Sequence, residues 1–249
     1  MPIILYTKKY TETLKEMLQR FRNENADYHD SKITYAGRLD PMAEGLMILL
    51  TDNDVHKKQD FLGYDKIYEV EFFFGPLTDT LDILGIIQDE SKPSTTISCE
   101  KIKKEIIGLK DISQQQYPAY SSKTVDGKPL WLHAREGSID TIEIPKRDIQ
   151  IYSAEFLKVN NITAVDLWKH IYYSISNVEG DFRQESIIAR WKKYAMANKE
   201  KEITVYSMRL HVSSGTYIRG IVSKLGQRIG LPTTSIKIKR ISIGDNLLT

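Results

Sequence analysis

The sequence predicts an α+β fold, a mixed and largely antiparallel β-sheet with flanking helices. Three observations predict it. Alternating runs recur along the chain, in KIYEVEFFF at 66–74, ITVYSMRLHV at 203–212 and SIKIKRISI at 235–243, and a period of two half-buries a strand. Stretches with helical apolar spacing lie between such runs, but without the regular β-α-β rhythm of a parallel sheet. No internal repeat and no Pro/Gly/Ser-rich linker divides the 249 residues, so one domain over 1–249 is expected.

In chain order, Ile3–Tyr6 reads as a short strand. Thr11–Arg22 carries a helix-start signal and apolar Leu14, Met17, Leu18 and Phe21 at helical spacing. Leu46–Leu50 (LMILL) is short, apolar and bounded by polar TDND, the pattern of a buried strand or helix end. Lys66–Phe74 is a strand stopped by Gly75-Pro76, and Ile102, Ile106 and Leu109 make a helix of Cys99–Leu109. Ser113–Gly137 is polar, aromatic and irregular, and Ile149–Val159 alternates as a strand. A helical stretch, roughly Ala164–Ala197, precedes the strand Ile203–Val212. A helix at Thr216–Ile229 and the strand Ser235–Ile243 follow.

Composition excludes several classes. Cys99 is the sole cysteine, which rules out an intramolecular disulfide or a cysteine-cluster zinc site. No stretch approaches the roughly 18 apolar residues of a membrane span, and the amino terminus lacks a signal-peptide pattern. An intracellular, cytoplasmic protein is expected, and the sequon at Asn161 carries no meaning there. Net charge is only +2. From Gly215 onward, however, Arg219, Lys224, Arg228, Lys237, Lys239 and Arg240 face a single acid, Asp245. Such a segment is either a footprint for phosphates or a solvated face.

Four blocks could carry chemistry: GRLDP at 37–41, TDTLD at 78–82, QYPAYSSKTVDGKPLW at 116–131 and SSGTYIRG at 213–220. Singly, each has a plain explanation. GRLDP suits a turn, and TDTLD suits a helix cap or a magnesium-binding pair, Asp79 with Asp82. GTYIRG has the wrong spacing for a phosphate loop.

In this order the blocks resemble the TruB-type pseudouridine synthases. The match runs through Gly37, Leu39, Asp40, Pro41, Ala43 and Gly45, then Lys66 and Tyr68, then Thr78, Asp79, Thr80, Asp82 and Gly85. It continues through Pro118, Ser121, Lys123, Gly127, Ala134, Arg135 and Gly137, and through Ile144–Tyr152. It closes with Ser213, Gly215–Arg219 and Ile238-Lys239-Arg240. The resemblance implies a pseudouridine synthase fold with a central active-site cleft, and isomerisation of a tRNA T-loop uridine (position 55) to pseudouridine without cofactor or metal. It implies Asp40 as the catalytic carboxylate and Arg219 as its partner, because an anion at a desolvated rim needs one. Tyr68 would stack on the flipped base and handle the C5 proton. Tyr217 and Ile238 would line the pocket, and Tyr35, Lys66, Lys123, Arg135, Lys239 and Arg240 would add substrate contacts. Residues about 113–147 would be an RNA-gripping thumb, with Tyr117, Tyr120, Lys128 and His133 also facing RNA, and Trp131 and Leu132 packing the body. The partner implied is the tRNA T-arm, met by a monomer with no protein partner and no membrane contact.

The chain departs from the family pattern in several ways. Tyr35 stands where the family has histidine, and Arg38 gives the GRLD style of related ribosomal-RNA synthases, which keeps ribosomal RNA as an alternative substrate. Two further readings compete with an active synthase: an idle tRNA-binding or folding module, and a magnesium-dependent transferase using TDTLD. The stretch at about 160–202 is an insertion, expected to pack over the sheet or to touch RNA through Arg183, Arg190, Lys192 and Lys193. No carboxy-terminal PUA-type domain is expected after Ile243.

Overall fold

A computed structural model of the chain describes residues 3–89 and 97–247. Its strands are β1 (Ile4–Lys8), β2 (Ile33–Ala36), β3 (Ala43–Thr51), β4 (Lys66–Phe74), β5 (Leu77–Thr78), β6 (Ile87–Asp89) and β7 (Gln114–Gln116). They continue with β8 (Thr124–Val125), β9 (Lys128–Pro129), β10 (Lys146–Asp148), β11 (Ile151–Thr163), β12 (Glu202–Val212), β13 (Thr233–Ile243) and β14 (Asn246–Leu247). The helices are α1 (Leu14–Glu24), α2 (Lys58–Leu62), α3 (Cys99–Ile107), α4 (Leu130–Arg135), α5 (Ala164–Ser176), α6 (Gln184–Ala197) and α7 (Ile218–Ile229).

One sheet dominates, in the order β1-β3-β13-β4-β12-β11, with β2 beside β3 and β14 beside β13. Every pairing in it is antiparallel except β3 with β13, where Ile238–Arg240 run parallel to Ala43–Gly45. Gly45 permits this approach. Its φ is +115°, and a Cβ there would lie 2.2 Å from the Arg240 carbonyl oxygen, so only glycine fits.

The two sheet faces carry separate cores. Alternation on β4 sends Tyr68, Val70, Phe72 and Phe74 to one face, where α1, α3 and α7 pack through Met17, Phe21, Ile102, Ile106, Val222 and Leu225. Phe73 points the other way, into a cluster with Leu167, Ile171, Ile175, Ile187 and Trp191 of α5 and α6. The helices of the 160–202 stretch therefore do pack on the sheet. The helical stretch is two helices rather than one, parted near Gly180 at φ +106°.

α1 begins at Thr13, whose hydroxyl accepts from the Glu16 N–H while the Glu16 carboxylate accepts from the Thr13 N–H, a capping box. LMILL belongs to a strand, β3, in which Met47, Ile48 and Leu49 are fully buried. The stretch 113–137, expected to be irregular, holds β7, the β8–β9 hairpin and α4, anchored by buried Leu130 and His133. The body-facing residues there are thus Leu130 and His133, and not Trp131, which is 38% exposed. His133 bonds Ser138 Oγ and the Val125 carbonyl at 3.1 Å each, so it braces the hairpin from inside rather than facing RNA. Among the described residues no helix is long and apolar enough to cross a membrane.

Candidate active site

The GRLDP segment forms the turn that enters β3. Asp40 O accepts from Ala43 N at 3.0 Å with Pro41 second in the turn, where proline's fixed φ suits the geometry. The turn is tied from two sides. Ile238 N on β13 donates to Met42 O at 3.2 Å, and Thr11 N donates to Pro41 O at 3.0 Å. Beneath it, the fully buried Lys8 donates to Ala43 O at 2.7 Å, and burial brings its pKa down to about 8. The Asp40 backbone is held on every side while its side chain keeps 44% exposure.

Arg219, in the first turn of α7, meets that side chain. Its Nε donates to Asp40 Oδ2 at 2.8 Å and lies 3.5 Å from Asp82 Oδ2. Nη1 donates to the Thr80 carbonyl, and Nη2 to the Tyr120 carbonyl at 3.2 Å. Arg219 is only 3% exposed. Burial alone would lower its pKa, but the two carboxylates outweigh burial and raise it, so the guanidinium stays charged.

Asp82 comes from the TDTLD block, which is neither a helix cap nor an open pair of carboxylates. The segment is a tight loop joining β5 to β6, in which a Cβ on Gly85 would lie 2.3 Å from Thr80 Oγ1. Asp82 Oδ1 accepts from Thr80 Oγ1 at 2.7 Å and from Leu84 N at 3.0 Å. Burial, aided by Asp40, pushes its pKa up to about 6 against the pull of Arg219. Asp79 turns the other way, to Arg183. Among the described residues no three His, Cys, Asp or Glu side chains gather as metal ligands would.

These groups open onto a cleft of about 720 Å³, in the range of small-molecule sites. Asp40, Lys66, Tyr68, Arg135, Tyr217, Arg219, Ile238 and Arg240 all line it. Tyr68 and Ile238 form apolar wall on β4 and β13, at 7% and 5% exposure. Tyr217 is clamped by Gln115, which accepts from its N–H and donates to its carbonyl, each at 2.8 Å. Burial and Asp40 raise the Tyr217 phenol above its ordinary value.

Two of the expected substrate contacts line the cleft with their charged ends bonded to protein groups, and three lie outside its lining. Arg240 is fully buried and donates to the Leu46 carbonyl and Met47 sulfur at 2.7 Å each, so its charge holds the β3 backbone. Lys66 donates to the Leu62 and Tyr64 carbonyls, and burial and Arg240 bring its pKa down to about 8. Tyr35, Lys123 and Lys239 are not among the cleft's lining residues. Tyr35 packs at the core edge with Lys58 Nζ 5.3 Å from its ring centroid. Lys239 is flanked across the sheet by Glu44 and Glu69. The basic carboxy-terminal run is consequently no surface stripe, since Arg219 and Arg240 point inward.

Other lining residues were not singled out for the cleft by sequence reasoning, among them Leu39, Arg147, Asp181, Phe182 and Arg183. Arg147 stands in the Ile144–Tyr152 block, which could have pointed to it. Asp181–Arg183 lie in the 160–202 stretch, in which sequence reasoning matches no motif.

The chain's sequence and fold have parallels among known proteins. A profile of the family described as "TruB family pseudouridylate synthase (N terminal domain)" matches residues 25–180, more than half of the chain. The tRNA pseudouridine synthase B of Mesoplasma florum is 27% identical over 247 residues, covering 99% of this chain and 70% of that protein. That of Thermotoga maritima is 26% identical over 217 residues, covering 87% of this chain and 55% of its own length. A chain in the crystal structure of a Cbf5–Nop10–Gar1 complex superposes with a TM-score of 0.58 at 14% identity, over 97% of this chain and 48% of that one, a likeness of fold. The chain thus spans between about half and 70% of the length of these relatives.

Proposed function

Because the chain belongs to the TruB family of pseudouridylate synthases, we propose that it isomerises a T-loop uridine of tRNA to pseudouridine, in the cytoplasm, with Asp40 as the reacting carboxylate. One observation carries the assignment of Asp40. A buried arginine, held by two backbone carbonyls, presents its Nε to a carboxylate that remains 44% open to the cleft. An ion pair this asymmetric fixes the direction of the carboxylate without closing it off, which is what positioned chemistry needs.

The reaction breaks N1–C1′, turns the base, forms C5–C1′, moves a proton off C5 and leaves one on N1. Nothing is gained or lost overall, so no co-reactant is required. Asp40 acts as nucleophile or base beside the ribose and C6, and Arg219 holds it ionised. Tyr68 stacks on the flipped uracil, with its phenol near the C5 proton. Tyr217 and Ile238 close the sides of the pocket, and the half-turned Arg135 reaches toward the RNA backbone. Residues 113–147, carrying exposed Lys123, form the thumb that grips the T-arm.

The test is tritium release from C5-labelled uridine in a tRNA transcript, run beside a transcript whose T-loop target uridine is cytidine. Release that vanishes in the changed transcript supports the reading, and release that persists moves the substrate elsewhere. Asp40→Asn should abolish release while tRNA affinity stays within about threefold, because the charge contributes to the transition state rather than to binding. Near-normal turnover in that variant removes Asp40 from the chemistry.

A further inference from the structure

The stretch at 160–202 brings two charged residues, Asp181 and Arg183, to the lining of the cleft. Arg183 precedes α6 with φ at +65°, a left-handed conformation that costs a residue with a Cβ about 1 kcal/mol or more. There its guanidinium meets Asp79 with both nitrogens, Nη1 2.6 Å from Oδ2 and Nη2 3.3 Å from Oδ1. It also lies over the Tyr120 ring, 4.5 Å from the centroid, at cation–π distance.

Both partners lead to Arg219. Asp79 adjoins Thr80, and the carbonyls of Thr80 and Tyr120 are the two that accept from the Arg219 guanidinium. A third tie runs through Asp181, which accepts from Arg183 N at 3.2 Å and from Arg135 Nη2 at 2.6 Å. Exposed ion pairs contribute little. This one is two-pronged, and its side chains are only 20% and 16% exposed, the geometry in which such pairs fix position. The burial of Tyr120, with Asp79 beside it, pushes that phenol up to about 12.

We propose that Arg183 is a positioning residue for the isomerisation. It braces the two segments whose carbonyls hold Arg219, and through Arg219 the aim of Asp40. The assignment rests on the isomerase reading above.

The experiment compares the full chain with R183A, R183K and R183A/D79N. It reads single-turnover tritium release under enzyme excess, tRNA affinity by filter binding and the melting temperature. R183A should slow release by on the order of 10- to 100-fold, the scale of a small misplacement at a reacting centre. Its tRNA Kd should stay within about threefold, since the lost contact is internal to the protein. R183K keeps the charge without the fork and should recover only part of the rate. Adding D79N removes the carboxylate left unpaired in R183A, so it should restore the melting temperature but not the rate. An R183A rate within about twofold of wild type overturns the assignment, as does a rate that returns together with the melting temperature. A Kd that weakens as much as the rate falls also overturns it, making Arg183 an RNA contact. Wild-type turnover with any of those results rejects Arg183 alone, whereas no wild-type turnover rejects the isomerase reading and this role with it.

Discussion

Replacing Asp82 with asparagine should flatten the dependence of stability on pH. Asp82 is 4% exposed, and its carboxyl is pushed up from the ordinary 3.8 to about 6, by burial before any other cause. An acid with a higher pKa folded than unfolded binds protons on folding, so its ionisation opposes the fold. That opposition is absent below about pH 4, grows up to about pH 6 and is complete above it. The interval from 3.8 to about 6 amounts to about 3 kcal/mol. Asparagine keeps the Oδ1 acceptor used by Thr80 and Leu84 and has nothing to titrate. In urea unfolding of both proteins from about pH 4 to pH 7.5, the difference in stability should move by about 3 kcal/mol in favour of the variant as pH rises. An offset that stays constant with pH refutes the reasoning. The same variant should isomerise more slowly, because Arg219 loses one of the two carboxylates that orient it. Gain in stability with loss of rate is the expected pattern where a site holds a charge that the fold disfavours.

Gly45→Ala should lower stability by at least about 2 kcal/mol, since the new methyl meets Arg240 backbone at an unfavourable φ; thermal unfolding checks this, and an unchanged midpoint speaks against the close β3–β13 approach. Lys123→Gln should lower the salt slope of tRNA binding by about 1, the signature of one lost phosphate contact. Lys128→Gln should change it less, because Lys128 is paired to Glu136 at 2.6 Å; equal slopes for Lys123→Gln and wild type remove Lys123 from the interface.

Strands whose side chains alternate strictly, such as Lys66–Phe74 and Ser235–Ile243, were legible because burial on one face imposes a period of two. Block order was legible for the same site because Asp40, Tyr68 and Arg219 lie in segments with distinctive composition. Side-chain direction was not. Arg240 reads as a basic residue beside Lys239, yet it lies on the inner face of β13 and bonds backbone, a choice made by the neighbouring β3. His133 is buried and Trp131 lies at the surface because α4 turns the face that carries Leu130 toward the body. The carboxylate of Asp82 could be read as a cap or a ligand from sequence; only the partner 137 positions away, Arg219, decides its role. Arg183 reads as part of a helical stretch that packs over the sheet or touches RNA, and the left-handed turn before α6 sends it toward Asp79.

β13 lies between β3 and β4 in the sheet, and that placement orders events in time. Asp40 and Tyr68 belong to strands or turns made early in synthesis, yet the strand that sits between them is specified by residues 233–243. Until those residues leave the ribosome, β3 and β4 have no shared neighbour, Met42 lacks the N–H of Ile238, and the Asp40 turn is untied on that side. A chain without β13 leaves the facing edges of β3 and β4 unpaired. Contacts of such long sequence separation form slowly, and an incomplete sheet with open edges invites association. Catalytic competence should arrive in one late step, when the last central strand docks.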